Sequence, residues 1–149
     1  MLFDTTWMTG TPGTGALRGD TQRFAVVTAS RFADWELAWR GDDGPADVLR
    51  AVLLHDPSVT VLAATAAADA VVAGAVLHAT GDCVGVSNVF AALGLSDVAW
   101  RGIVAWTEMH RRDAILVGYE SGIDLELARA SGFVLVGPLR VWIRNESVS

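Results

Sequence analysis

The sequence predicts an α/β (α+β) domain built on a mixed, mostly antiparallel sheet with helices on both faces. Three observations carry this. Runs rich in β-branched and small apolar residues, Val59 to Ala64, Val71 to Ala79 and Cys83 to Phe90, are separated by turn-forming residues and read as three antiparallel strands in succession. Segments with apolar residues at helical spacing lie before and after them. A short, fully apolar run, Ala114 to Tyr119, then falls between two helical segments, as a strand buried on both faces does. The resulting order, β-α-α-β-β-β-α-β-α-β, joins an antiparallel meander to a βαβ crossover.

Residues up to about Asp20 are rich in Gly and Thr without a sustained period. Residues 1–20 therefore read as a flexible N-terminal arm, with a short strand around Phe3 to Trp7, and 21–149 as a single domain. Phe24 to Thr28 is a short strand. Ser30 is placed to cap a helix whose Phe32, Trp35 and Trp39 share a face and which ends at Gly41. Pro45 opens a second helix with the stripe Val48, Leu49, Val52 and Leu53, and Pro57 stops it. After the meander, Ser96 or Asp97 caps a helix running to about His110, with Ala99, Ile103 and Trp106 inward and Arg101 and Glu108 outward. Ser121 and Asp124 have the spacing of a capping box for a last helix, Ile123 to Ala130, which Gly132 ends. Phe133 to Arg144 closes the chain as extended structure, bent at Gly137-Pro138.

Composition narrows the chemistry. All eleven basic residues are arginine, so neither a Schiff-base lysine nor a phosphate-loop lysine exists, and Gly10-Thr11-Pro12-Gly13-Thr14-Gly15 reads as a surface segment. The net charge of −6 opposes a phosphate backbone, so no nucleic acid is expected as a partner. Cys83 is the only cysteine, which excludes an internal disulfide; it reads as a small core residue. His55, His78 and His110 fall on separate elements without a metal spacing, and no metal is expected. No signal peptide and no span of about eighteen apolar residues is visible, so the default reading is cytoplasmic with no membrane partner.

The element order, together with Ile115-Leu116-Val117-Gly118-Tyr119, a helix and Gly132-Phe133, resembles the GNAT superfamily of N-acetyltransferases over about Phe24 to Arg144. The resemblance implies a strand leading into a helix through an Arg/Gln-x-x-Gly-x-Gly/Ala loop whose amides hold the pyrophosphate of acetyl-CoA, and a following strand that splays away to open a slot. The logic is that of a helix N-terminus holding an anion. It implies that Val89 ends the cofactor strand, that the loop runs from Ala91 to Asp97, and that Val89, Phe90, Ala91, Gly94, Ser96 and Asp97 bind the cofactor. The sequence departs from the pattern there. Gly94, Asp97 and Ala99 stand at the three motif positions and only Ala99 fits, while Asp97 is expected to cap the helix and fill the donors a phosphate needs. The tyrosine many members carry four residues before the Gly-Phe pair is Ala128 here.

Transfer of an acyl group from a thioester to an amine needs a base, an acid and donors for the oxyanion. Tyr119 and Glu120, at the C-terminal end of the crossover strand, are the candidate acid and the candidate base, or amine hook. The competing reading makes Tyr119 a core aromatic with a wet hydroxyl and Glu120 a carboxylate at the helix start. Ser87 and Asn88 interrupt an apolar strand and are expected on opposite faces, so that one of them faces the slot and bonds pantetheine or substrate, or each pairs with nearby backbone. His78 is a further candidate base in the slot or a surface histidine. Trp35, Trp39, Trp100 and Trp106 read as core or as a subunit contact. Two functions follow: an N-acyltransferase acting on a small-molecule or peptide amine, and a non-catalytic binding or regulatory module that has lost the cofactor loop. The apolar closing segment suggests a homodimer that buries Trp142, with Leu139 or Val141 beside it.

Overall fold

The computed structural model describes residues 2–11 and 23–142. Most of the expected arm and the end of the closing segment lie outside these residues, as do the side chains of Val141 and Trp142 expected at a subunit contact. Among the described residues, seven strands form one sheet, in the order β2-β3-β4-β5-β6-β1-β7. They are β1 (Leu2–Gly10), β2 (Phe24–Val26), β3 (Val59–Thr65), β4 (Val71–Thr80), β5 (Cys83–Ala91), β6 (Ile115–Glu120) and β7 (Val134–Trp142). Three α-helices accompany them: α1 (Phe32–Arg40), α2 (Ser96–His110) and α3 (Gly122–Ala130).

The N-terminal segment is the largest difference from the sequence reading. Residues 2–10 are not an arm with a short strand but a nine-residue strand lying between β6 and β7, antiparallel to both. Its alternation explains the placement. Met8 is fully buried in the core, while Thr5 and Thr9 donate their hydroxyls to the carbonyls of Glu120 and Leu116 at 2.7 and 3.0 Å. These bonds fix β1 against β6, so the Thr-rich run belongs to the interior of the sheet.

The second expected helix does not form. Only a short 3-10 turn, Ala51–His55, occupies that stretch. Asp47 has a left-handed backbone (φ 61°) and Arg50 is extended, and either one breaks a helical ladder. The Arg40 guanidinium also donates to the carbonyls of Gly41 and Gly44, both at 3.2 Å, and holds the chain in turns. Val48 and Val52 consequently remain exposed.

Two apolar clusters sandwich the sheet. Trp100, Ile103 and Val104 of α2, with Ala128 of α3 and Phe133, pack on Leu62, Ala75, Leu77, Val84, Val86 and Leu116. Phe32 and Trp35 of α1 pack on Val61 and Val76 from the other side, and the Trp35 indole donates to the Leu62 carbonyl at 2.9 Å. Full burial of side chains this large contributes about 1.5–3 kcal/mol each relative to exposure. Caps differ from expectation at every helix start. Ser30 shares a hydrogen bond with Thr28 and does not cap α1, Leu95 occupies the cap position of α2, and the Ser121–Asp124 box is not closed by a side-chain bond. Cys83 is exposed at the start of β5, and no core role remains for it. No helix among the described residues is long and apolar enough to cross a membrane.

Candidate functional site

The site follows from one irregular junction. β5 and β6 are the parallel pair of the sheet, and they are in register only at Cys83↔Ile115, Val84↔Leu116 and Gly85↔Val117. Beyond Gly85 and Val117 the two strands part. A bulge in β5 assists: Gly74↔Phe90 and Val76↔Ser87 leave Asn88 and Val89 opposite Ala75 alone, with Asn88 at φ 51°. The gap is a cleft of about 180 Å³, with Val86, Ser87 and Asn88 on one wall, Tyr119, Glu120 and Ser121 on the other, and Thr5 of β1 completing it.

Alternation along the strands assigns the sides of this cleft. Ser87 pairs with Val76, which packs under α1, so Ser87 lies on the α1 side with Val117 and Tyr119; Val86, Gly118 and Glu120 lie on the α2 side. The expectation that Ser87 and Asn88 diverge is therefore corrected. The left-handed residue turns Asn88 so that its amide donates to Ser87 Oγ at 3.1 Å, and both side chains line the cleft.

Glu120 is half-buried beside the carboxylate of Asp124. Burial first, and the Asp124 charge second, raise its carboxyl from the usual 4.5 to about 7. At neutral pH it holds a proton about half the time, the condition that suits a general base. Tyr119 is 45% exposed, its ring edge-on to Trp7 of β1 at 5.5 Å between centroids. The two residues read as candidate acid and candidate base thus line one cleft. Thr5 and Trp7 were missed, because nothing near them in the chain shows that they pair with residues more than a hundred positions away.

His78 is not part of this cleft. It sits towards the other end of β4, exposed, opposite Val59 and Gly85, and its charge helps Ser58 hold the Asp56 carboxyl below the ordinary range. Of the expected cofactor loop, Val89 packs on the main core, Phe90 lies edge-on to Trp35, and Ala91 pairs with Ala73. A tight turn follows, with Leu95 N–H donating to Ala92 O and Gly94 at φ 82°. Asp97 does not cap α2. Its carboxylate pairs with Arg101 at 3.0 Å, one helical turn on, and no side chain caps the helix start. Gly94, Ser96 and Asp97 thus gather at the start of α2 and do not line the cleft itself.

No protein-family model and no curated protein matches the sequence. Solved structures share its architecture. A functionally unknown conserved protein from Staphylococcus epidermidis superposes with a TM-score of 0.68 at 9% identity, over 94% of this chain and 60% of that one. A protein from Novosphingobium aromaticivorans, described as a GNAT-family acetyltransferase, gives 0.65 at 12% identity, over 94% and 63%. A GCN5-related N-acetyltransferase from Kribbella flavida gives 0.62 at 15% identity, over 93% and 57%. The chain spans about three-fifths of the length of these structures.

Proposed function

We propose that this chain, which has the fold of the GCN5-related N-acetyltransferases, transfers an acetyl group from acetyl-CoA to a primary amine. The observation that carries this reading is the cleft opened by the parting of β5 and β6, with a carboxyl near neutrality and a phenol on its two sides. The donor set fits the cofactor. The start of α2 has no side-chain cap, and Arg101 meets the charge of Asp97, so the first-turn amides are placed to receive an anion. Gly94, Ser96 and Asp97 would surround its phosphates, and Val89 to Ala91 would flank its arm.

Acetyl-CoA, when bound, supplies an activated acyl carbon and a thiolate leaving group. Glu120, directly or through one water, takes the proton from the ammonium so that the nitrogen lone pair is free. The Tyr119 hydroxyl would donate the proton that the departing sulfur requires and recover one from the acylated nitrogen, which sheds its second proton as the amide forms. Neighbouring residues on a strand face opposite ways, and the lining of one cleft by both Tyr119 and Glu120 where the strands part supports assigning them to one reaction. Ser87 and Asn88 contribute a hydroxyl and an amide for polar groups of cofactor or substrate.

Calorimetric titration with acetyl-CoA, followed by assays on a panel of amines, tests the reading. Binding and acetylation are expected, with Tyr119→Phe and Glu120→Gln each lowering turnover on the order of ten-fold or more. Unaltered turnover in both variants would take the acid–base roles away from these residues. Absence of acetyl-CoA binding would favour a non-catalytic binding module.

A further inference from the structure

A second recess, of about 150 Å³, lies on the α1 side of the sheet at its β2 edge, apart from the cleft. Its cause is a pair of small residues. Ala25 of β2 stands opposite Ala63 of β3, and Ala63 and Val71 pack against the cluster beneath α1, so two methyl groups stand where bulkier side chains would close the space. Trp35 of α1 is fully buried and closes the inner end. Its indole N–H is already given to the Leu62 carbonyl, so it offers only ring carbon there. Among the described residues, the charged part of the lining is Arg23 and Arg31, with no carboxylate, in a chain whose net charge is −6. Arg31 is held in place: its guanidinium donates to the Asp69 carbonyl and meets, at 3.4 Å, an Asp34 carboxylate that lies outside the lining. Arg23 is exposed, and none of the ion pairs among the described residues includes it.

We propose that this recess binds a small organic monocarboxylate, with an apolar body the size of a benzene ring over Ala25 and Ala63 and the carboxylate against Arg23 and Arg31. The size fits, since an apolar cavity of roughly 150 Å³ takes a benzene ring. The charge fits as well, because guanidinium groups are weakly hydrated and match a carboxylate with parallel N–H donors. A neutral ligand gains nothing from the two arginines, and an anion without an apolar body leaves the alanine floor wet. The site is built on β2, β3, the start of β4 and α1 rather than on the parted β5 and β6, so it stands or falls independently of acetyl transfer.

The test is calorimetric titration at low salt with sodium benzoate, benzyl alcohol and sodium acetate, on the native protein, Arg23→Gln and Ala25→Leu. The alanine methyl resonances are followed to locate binding. Both variants change exposed positions, so the fold is retained. The native protein is expected to bind benzoate about ten-fold more tightly than either comparison ligand, with shifts at the Ala25 and Ala63 methyls. Arg23→Gln is expected to weaken benzoate roughly five-fold, as for an exposed charge pair, and to leave benzyl alcohol unchanged. Ala25→Leu fills the floor and is expected to abolish saturable benzoate binding. No benzoate binding by the native protein at millimolar concentration would overturn the site. Benzyl alcohol bound as tightly as benzoate would overturn the carboxylate class, and benzoate affinity that survives in either variant would overturn the assignment to this recess.

Discussion

Glu120 holds its proton near neutrality because folding takes its carboxyl partly out of water and sets it beside Asp124. The folded protein therefore binds this proton more tightly than the unfolded chain, and its contribution to stability is full below 4.5 and lost as the pH rises through about 7. Glu120→Gln abolishes that loss. A gain of about 1 kcal/mol is expected near pH 8, after allowing for solvent screening at a half-exposed group, and no gain near pH 4; urea titrations at the two pH values check it. On the proposed reading, the same carboxyl predicts an acetylation rate that climbs through about pH 7 in the native protein. A different constraint acts at Gly74, where an added β-carbon would overlap the Trp35 indole and the Phe90 ring. Gly74→Ala is expected to cost about 1–3 kcal/mol by overpacking, measured by chemical denaturation.

On the proposed reading, one ion pair at the start of α2 bears on how well an anion is held there. Asp97 is answered by Arg101 at 3.0 Å and does not occupy the backbone donors. Arg101→Gln should weaken acetyl-CoA binding several-fold at low salt by leaving a bare carboxylate at the phosphate end. Asp97→Asn should strengthen it. Each change should alter stability by less than about 0.5 kcal/mol, as for exposed helix pairs; paired titrations decide. Helices α1, α2 and α3 and strands β3 to β6 were legible in the sequence because their periodicity and turn residues are local. Tyr119 and Glu120 were legible for the same reason, since they end a recognisable crossover strand. The false second helix shows the limit: the stripe Val48, Leu49, Val52 and Leu53 has helical spacing, yet the left-handed backbone of Asp47 and the Arg40 clamp on Gly44 override it. The side of the cleft taken by Asn88 was likewise hidden, because it depends on a bulge set by pairing with β4.

At the scale of the molecule, β7 is an edge strand with Val134, Leu135 and Val136 exposed, the kind of edge that pairs with another chain unless covered. A homodimer covering β7 is expected at micromolar concentration. Light scattering should show it, and Val136→Glu should return the protein to a monomer with little change in stability; a native monomer would reject the expectation. The position of β1 carries a further consequence, in the time domain. β1 pairs with β6 and β7, which lie far along the chain, so completing the cleft wall that includes Thr5 carries the entropic cost of closing very long loops and is expected to be slow. Leu2 lies directly opposite Trp142, however, so chain order and spatial order can be reconciled by surgery. A circular permutant that begins at Arg23 and returns through a two-residue turn after Trp142 into Leu2–Gly10 turns the most distant pairing of the sheet into a hairpin. It should keep the same register and refold faster than the native chain in stopped-flow measurements.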